Sequence, residues 1–175
     1  MIPAGSPRSL PTAGDGVVTV CDATSLKAFI GHRVALTFIY TRCPDPEFCP
    51  LMDRNFVALQ TALAETPGLS DVRLISISFD PEHDTPEVLR AHAKSLKADP
   101  RLWTFVTTAP GDLKAFAARF GVTAEPGAAN QGAILHNLST AVVAADGTLV
   151  KIHPGNRWTP SELLADLKAV PAPAR

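Results

Sequence analysis

The chain has 175 residues, a formal net charge of −1, 46% hydrophobic and 19% charged residues. That composition is that of one globular domain large enough to bury its own core, not of a disordered chain. The near-zero charge argues against a nucleic-acid partner held by counterion release, and no run of about 18 apolar residues is present to span a bilayer. Residues 1–15 are rich in Pro, Gly and Ser, have no apolar h-region, and read as a flexible leader. Val17 to Val20 is a short strand candidate. Arg33 to Tyr40 is nearly all apolar and β-prone, which predicts a central strand buried on both faces. Pro50 then starts a helix to about Glu65, with Met52, Phe56, Leu59 and Leu63 on one face. Val72 to Phe79 is the next buried strand. Thr85 and Pro86 read as an N-cap and N1 pair opening a helix to about Lys97. Trp103 to Thr107 is a strand, and Pro110 to Phe120 a helix ended by Gly121. Ala133 to His136 and Thr140 to Ala145 are extended, and Asp146-Gly147 turns the second into a hairpin with Thr148 to His153. Thr159-Pro160-Ser161-Glu162 is a capping box for a last helix through Val170, and residues 171–175 are a frayed tail.

This order predicts one α/β domain over residues 16–170, with a central mixed sheet flanked by helices and a closing C-terminal hairpin and helix. A thioredoxin-like fold has that layout.

Three cysteines are too few for a disulfide scaffold, and their arrangement is uneven. Cys43 and Cys49 share one loop between a buried strand and a helix, with five residues between them. In open α/β sheets, sites lie beyond the carboxyl ends of strands, so the loop has a functional address. Cys49 directly precedes the predicted helix, whose positive end favours a thiolate, and Arg42 adds positive charge nearby. Pro44, Pro46 and Pro50 restrict the loop and lower the cost of holding two sulfurs in one geometry. Such a pair can close a disulfide, hold a soft metal, or attack another protein's disulfide. A structural zinc site would need four ligands, usually two close pairs, and only one pair is present. Thiolates with an imidazole suit copper, Cu(I) through sulfur and Cu(II) through nitrogen.

Three strings carry a resemblance. Phe38-Ile39-Tyr40-Thr41-Arg42-Cys43-Pro44 with Cys49-Pro50, then Ser78-Phe79-Asp80-Pro81-Glu82-His83-Asp84-Thr85-Pro86, then Leu135-His136-Asn137 resemble the SCO/SenC family. The resemblance covers roughly residues 16 to 170. It implies a thioredoxin-like copper protein linked to assembly of the copper site of cytochrome c oxidase. It also implies copper held by Cys43, Cys49 and His136 and passed to an acceptor of copper or electrons, such as an oxidase subunit. An extracytoplasmic home, periplasmic and membrane-tethered, follows from the resemblance alone. The family's usual cysteine spacing has three intervening residues, so five here resembles a variant of the same site. The alternative function is a thiol–disulfide oxidoreductase with Cys43 and Cys49 as its redox-active pair.

His136 ends an apolar stretch, and its bland reading is a core histidine satisfied by a carbonyl. Asp80 ends a buried strand on the side of the cysteine loop, where it either orients a ligand from outside the metal's own shell or makes a plain Asp-Pro turn. Asp84 and Thr85 read as helix caps, Met52 as core, and Cys21 as a semi-buried free thiol. His32, His83, His92 and His153 have no thiol or carboxylate partners at ligand spacing in the sequence and read mostly as surface residues.

Overall fold

The computed structural model describes residues 17–20, 29–108, 110–126 and 134–173. The leader, Cys21 and the Ala133 end of the extended stretch lie outside them.

The elements follow the predicted order: β1 (Val17–Val20), β2 (Val34–Ile39), α1 (Cys49–Glu65), β3 (Arg73–Ser78), α2 (Pro86–Ser95), β4 (Trp103–Thr108) and α3 (Pro110–Ala118). After them come β5 (Ala124–Pro126), β6 (Ile134–His136), β7 (Ser139–Val143), β8 (Leu149–Pro154) and α4 (Pro160–Ala169). Six strands form one sheet in the order β1-β4-β3-β2-β7-β8. β1, β4, β3 and β2 run parallel, β7 is antiparallel to β2, and β8 closes the hairpin against β7. This is the mixed, helix-flanked sheet of a thioredoxin-like domain. The added piece is β5, which pairs antiparallel with β6 as a separate two-stranded ribbon. Three residues are too few to show a period, so no sequence pattern announces it.

Apolar periodicity accounts for the rest. β2 is buried along its whole length because helices cover both faces, which is why its sequence is a continuous apolar run. On α1, Met52, Phe56, Leu59 and Leu63 turn inward, and each fully buried side chain of this kind contributes roughly 1.5–3 kcal/mol. Phe56 packs on Trp103 with ring centroids 5.6 Å apart, and Trp103 stacks on Phe105 at 4.9 Å. Helix α3 stops at Ala118, two residues before the expected end. Gly121, at φ +72°, takes the left-handed turn there, and Phe120 drops onto Phe38 at 5.7 Å. The capping box of α4 forms as predicted, with Thr159 and Glu162 bonding reciprocally.

The topology fixes where a site can be. Ile39 and Ser78 are register partners, so the loops leaving β2 and β3 emerge side by side. Thr37 pairs with Thr140 on antiparallel β7, so the β6–β7 junction arrives at the same end of the sheet. The cysteine loop, the Asp80 turn and His136 therefore converge from sequence separations of about forty to ninety residues.

Candidate metal centre

Cys49 is the first residue of α1, with Phe48 as its N-cap and Pro50 in the first turn. Its side chain faces inward and is 1% exposed, while Cys43 is half-buried on the loop before it. Both are unbridged thiols. Across from them, the Cys49 Sγ to His136 Nε2 distance is 3.8 Å. The ligand atoms of Cys43, Cys49 and His136 all lie within 4.8 Å of one another. Two sulfurs and one imidazole nitrogen this close together are donor types that suit copper.

His136 is oriented toward the sulfurs. Its Nδ1 lies 3.0 Å from the Asn137 carbonyl oxygen. A carbonyl can only accept, so Nδ1 carries the proton and Nε2 presents its lone pair to Cys49. Asn137 is itself pinned: its amide nitrogen donates to the Gly121 carbonyl at 2.7 Å, and its side-chain oxygen accepts from the Thr123 N–H at 2.8 Å. Three rings box the imidazole: Phe79 at 4.6 Å, Phe48 at 5.4 Å and Tyr40 at 5.5 Å, the last two edge-on. Burial in this box lowers the His136 pKa, against the opposing pull of the Asn137 carbonyl, so the neutral ligand form prevails at neutral pH. His136 is thus a half-buried side chain facing the thiols, not a core histidine, and Leu135 beside it is 74% exposed.

The expectation of a Cys49 thiolate drawn out by the helix end is corrected by the structure. Burial pushes the Cys49 thiol well above its ordinary value, and the neighbouring Cys43 sulfur adds to the rise. Desolvation of a nearly inaccessible sulfur outweighs the partial charge of one helix terminus. Arg42 does not serve the sulfurs either. Its guanidinium donates to Asp80 through Nε at 2.6 Å and Nη2 at 3.3 Å. Asp80 thus reaches the site through Arg42, the residue before Cys43. Its backbone carbonyl also accepts from the N–H groups of His83 and Asp84, so it makes the Asp-Pro turn as well.

Asp84 is more than the expected cap. Its fully buried carboxylate accepts from the Thr41 N–H at 3.0 Å, the Thr41 hydroxyl and the Ser78 hydroxyl at 2.6 Å, and contacts His83 Nδ1 at 3.1 Å. It bolts the start of the cysteine loop to the end of β3. The sequence signal was present in the Asp-Thr-Pro string, but helix capping by Thr85, which does accept from the Val88 N–H, masked it. Two of the remaining histidines, His92 and His153, have carboxylate partners and need correction, whereas His32 meets only a backbone carbonyl. His92 Nε2 pairs with Asp53 at 3.0 Å, His153 Nε2 with Asp166 at 2.6 Å, and His32 Nδ1 lies 3.0 Å from the Asp71 carbonyl. These partners come from other elements, so no local spacing reveals them. Met52 is core, as read from its stripe. Behind Cys49, a cleft of about 290 Å³ runs between α1 and α2 past Tyr40, Asp53 and His92.

The SCO1/SenC family model matches residues 20–172 of this chain. A SCO1 protein homolog of Bacillus subtilis is 31% identical over 150 residues, covering 83% of this chain and 74% of that one. The crystal structure of a SCO1/SenC family lipoprotein from Bacillus anthracis superposes with a TM-score of 0.72 at 26% identity, over 82% of this chain and 84% of that one. The structure of Bradyrhizobium japonicum ScoI with copper bound gives a TM-score of 0.67 at 25% identity, over 83% and 88%.

Proposed function

This chain belongs to the SCO1/SenC family, and from that membership we propose that it is a copper-binding metallochaperone whose cargo sits on Cys43, Cys49 and His136. The observation that carries the proposal is the convergence of those three donors within 4.8 Å. The copper-bound relative from Bradyrhizobium japonicum supports it. Cu(I) would rest chiefly on the two sulfurs, and Cu(II) would draw on the imidazole as well. Both thiols give up their protons on loading, so affinity falls as pH falls, and a Cys43–Cys49 disulfide blocks loading altogether.

Exposure divides the labour between the sulfurs. Cys49 is buried and anchored in α1, whereas Cys43 lies at the accessible edge. An incoming acceptor ligand therefore displaces Cys43 first, and copper leaves by stepwise ligand exchange. The acceptor we propose is the copper-site subunit of a cytochrome oxidase, as the family resemblance implies. The location we propose is extracytoplasmic and membrane-tethered, in keeping with the lipoprotein relative from Bacillus anthracis. Among the described residues, no helix is long and apolar enough to cross a membrane. Thiol–disulfide exchange would use the sulfurs alone and leaves the orientation of His136 without a role.

Copper titration of the reduced chain tests the proposal. About one copper should be retained per chain, with His136→Ala losing Cu(II) before Cu(I). Equal retention by a Cys43→Ala/Cys49→Ala variant would refute it.

A further inference from the structure

The loop between the cysteines carries no regular structure, yet its carbonyls are held one after another. The Asp45 carbonyl accepts from the Phe48 N–H at 3.1 Å, and the Asp45 carboxylate accepts from the Glu47 N–H at 2.9 Å. The next two carbonyls are gripped from outside the loop. Arg54 Nη2 donates to the Pro46 carbonyl at 3.1 Å, with the Glu47 carboxylate 3.8 Å from the same nitrogen. Asn156 Nδ2, from the turn between β8 and α4, donates to the Glu47 carbonyl at 2.9 Å across 109 residues of sequence. One clamp comes from α1 itself and the other from the turn that leads into α4, the helix packed against α1.

We propose that Arg54 and Asn156 are positioning residues that hold the cysteine loop open at the metal-ready spacing and oppose closure of the Cys43–Cys49 disulfide. The sulfurs here are unbonded, and a disulfide needs them about 2.05 Å apart. Cys49 is fixed in the first turn of a packed helix, so the approach has to come from Cys43 and the loop behind it. Moving that loop strains or breaks the two clamps, because each is a directed hydrogen bond to a single carbonyl. A three-donor metal site gains from the same restraint, since the loop entropy is already spent before the metal arrives. The metal half of this inference rests on the copper reading above; the disulfide half does not.

The experiment uses the full metal-free chain equilibrated in reduced and oxidised dithiothreitol at fixed pH, with free thiols counted by alkylation and mass spectrometry. Asn156→Leu and Arg54→Met remove the donors and keep much of the side-chain bulk. Each should shift the equilibrium toward the disulfide by roughly three- to tenfold, the effect of one net hydrogen bond. A tenfold shift is about 30 mV in potential. Arg54→Lys retains a donor and a cation and should stay near the parent value. In parallel, competition of each variant with a copper chelator should show weaker retention by a similar factor. Thermal midpoints measured alongside separate positioning from unfolding, because a merely structural role lowers the midpoint and leaves the thiol equilibrium of the folded chain unmoved. An unchanged equilibrium, or a shift toward the dithiol, overturns the proposal. A parent chain that retains no copper overturns the copper reading instead, and the thiol equilibrium still decides the clamps.

Discussion

At the scale of single residues, the centre depends on carboxylates that never touch the sulfurs. Asp84 satisfies the Thr41 N–H and two hydroxyls from within the core. In Asp84→Asn one acceptor oxygen becomes a donor facing donors, and Asp84→Ala leaves the Thr41 N–H unpaired. Either change should cost about 2–4 kcal/mol, read as a lower urea midpoint at unchanged slope. His92 offers a pH test. Burial pulls its pKa down, but the hydrogen bond and charge of Asp53 outweigh it and leave the pKa above 6.5. A raised folded pKa means that the ion pair stabilises fully below about pH 6.5 and loses its contribution as pH rises through the folded value. The stability gap between the parent and His92→Gln should therefore be widest at mildly acidic pH and narrow toward pH 9. A gap independent of pH would show that the pair is not charged. These residues were hard to read from sequence for one reason. Asp53 and His92 are 39 positions apart, as are Asp80 and Arg42 to within one residue, and no local pattern links them.

At the scale of elements, periodicity and capping chemistry read well and loops did not. The stripe of α1, the continuous apolar β2 and the Thr159 capping box each stand in the structure near the expected bounds. Those signals are local, and the physics that makes them is local too. The β5–β6 ribbon is legible only through pairing between distant segments, and the state of Cys49 only through burial that the whole sheet creates. One residue ties three elements together. Buried Arg33, just before β2, donates to the Asp71 carboxylate and to the carbonyls of Gly68, Leu167 and Val170, the last two at the end of α4. The Asp71 hydrogen bond holds the guanidinium charged, and in return Arg33 keeps the Asp71 carboxyl below its usual range. Arg33→Lys cannot supply that fork. It should lose about 2–3 kcal/mol in chemical denaturation, despite conserving charge. Thr159→Ala should cost about 1 kcal/mol through the lost cap, and Thr159→Ser should recover most of it.

At the scale of the whole molecule, the site is a product of topology. Parallel β2 and β3 deliver the cysteine loop and the Asp80 turn to one end of the sheet, and antiparallel β7 returns the chain so that His136 meets them. The motifs single out Cys43, Cys49 and His136 as the proposed donors, and the strand order explains why they can meet. What motif alone could not show is the orientation of the imidazole, set by Asn137 and three rings, or the asymmetry between a buried and an accessible sulfur. Both matter for a carrier, which has to hold its cargo and release it to a partner. X-ray absorption at the copper edge of the reduced, loaded chain tests this most directly. The account predicts a first shell containing both cysteine sulfurs, plus one imidazole nitrogen in the Cu(II) form, with the imidazole signal lost in His136→Ala. A shell of oxygen and nitrogen alone, or one unchanged when Cys43 and Cys49 are both replaced by Ala, would contradict it.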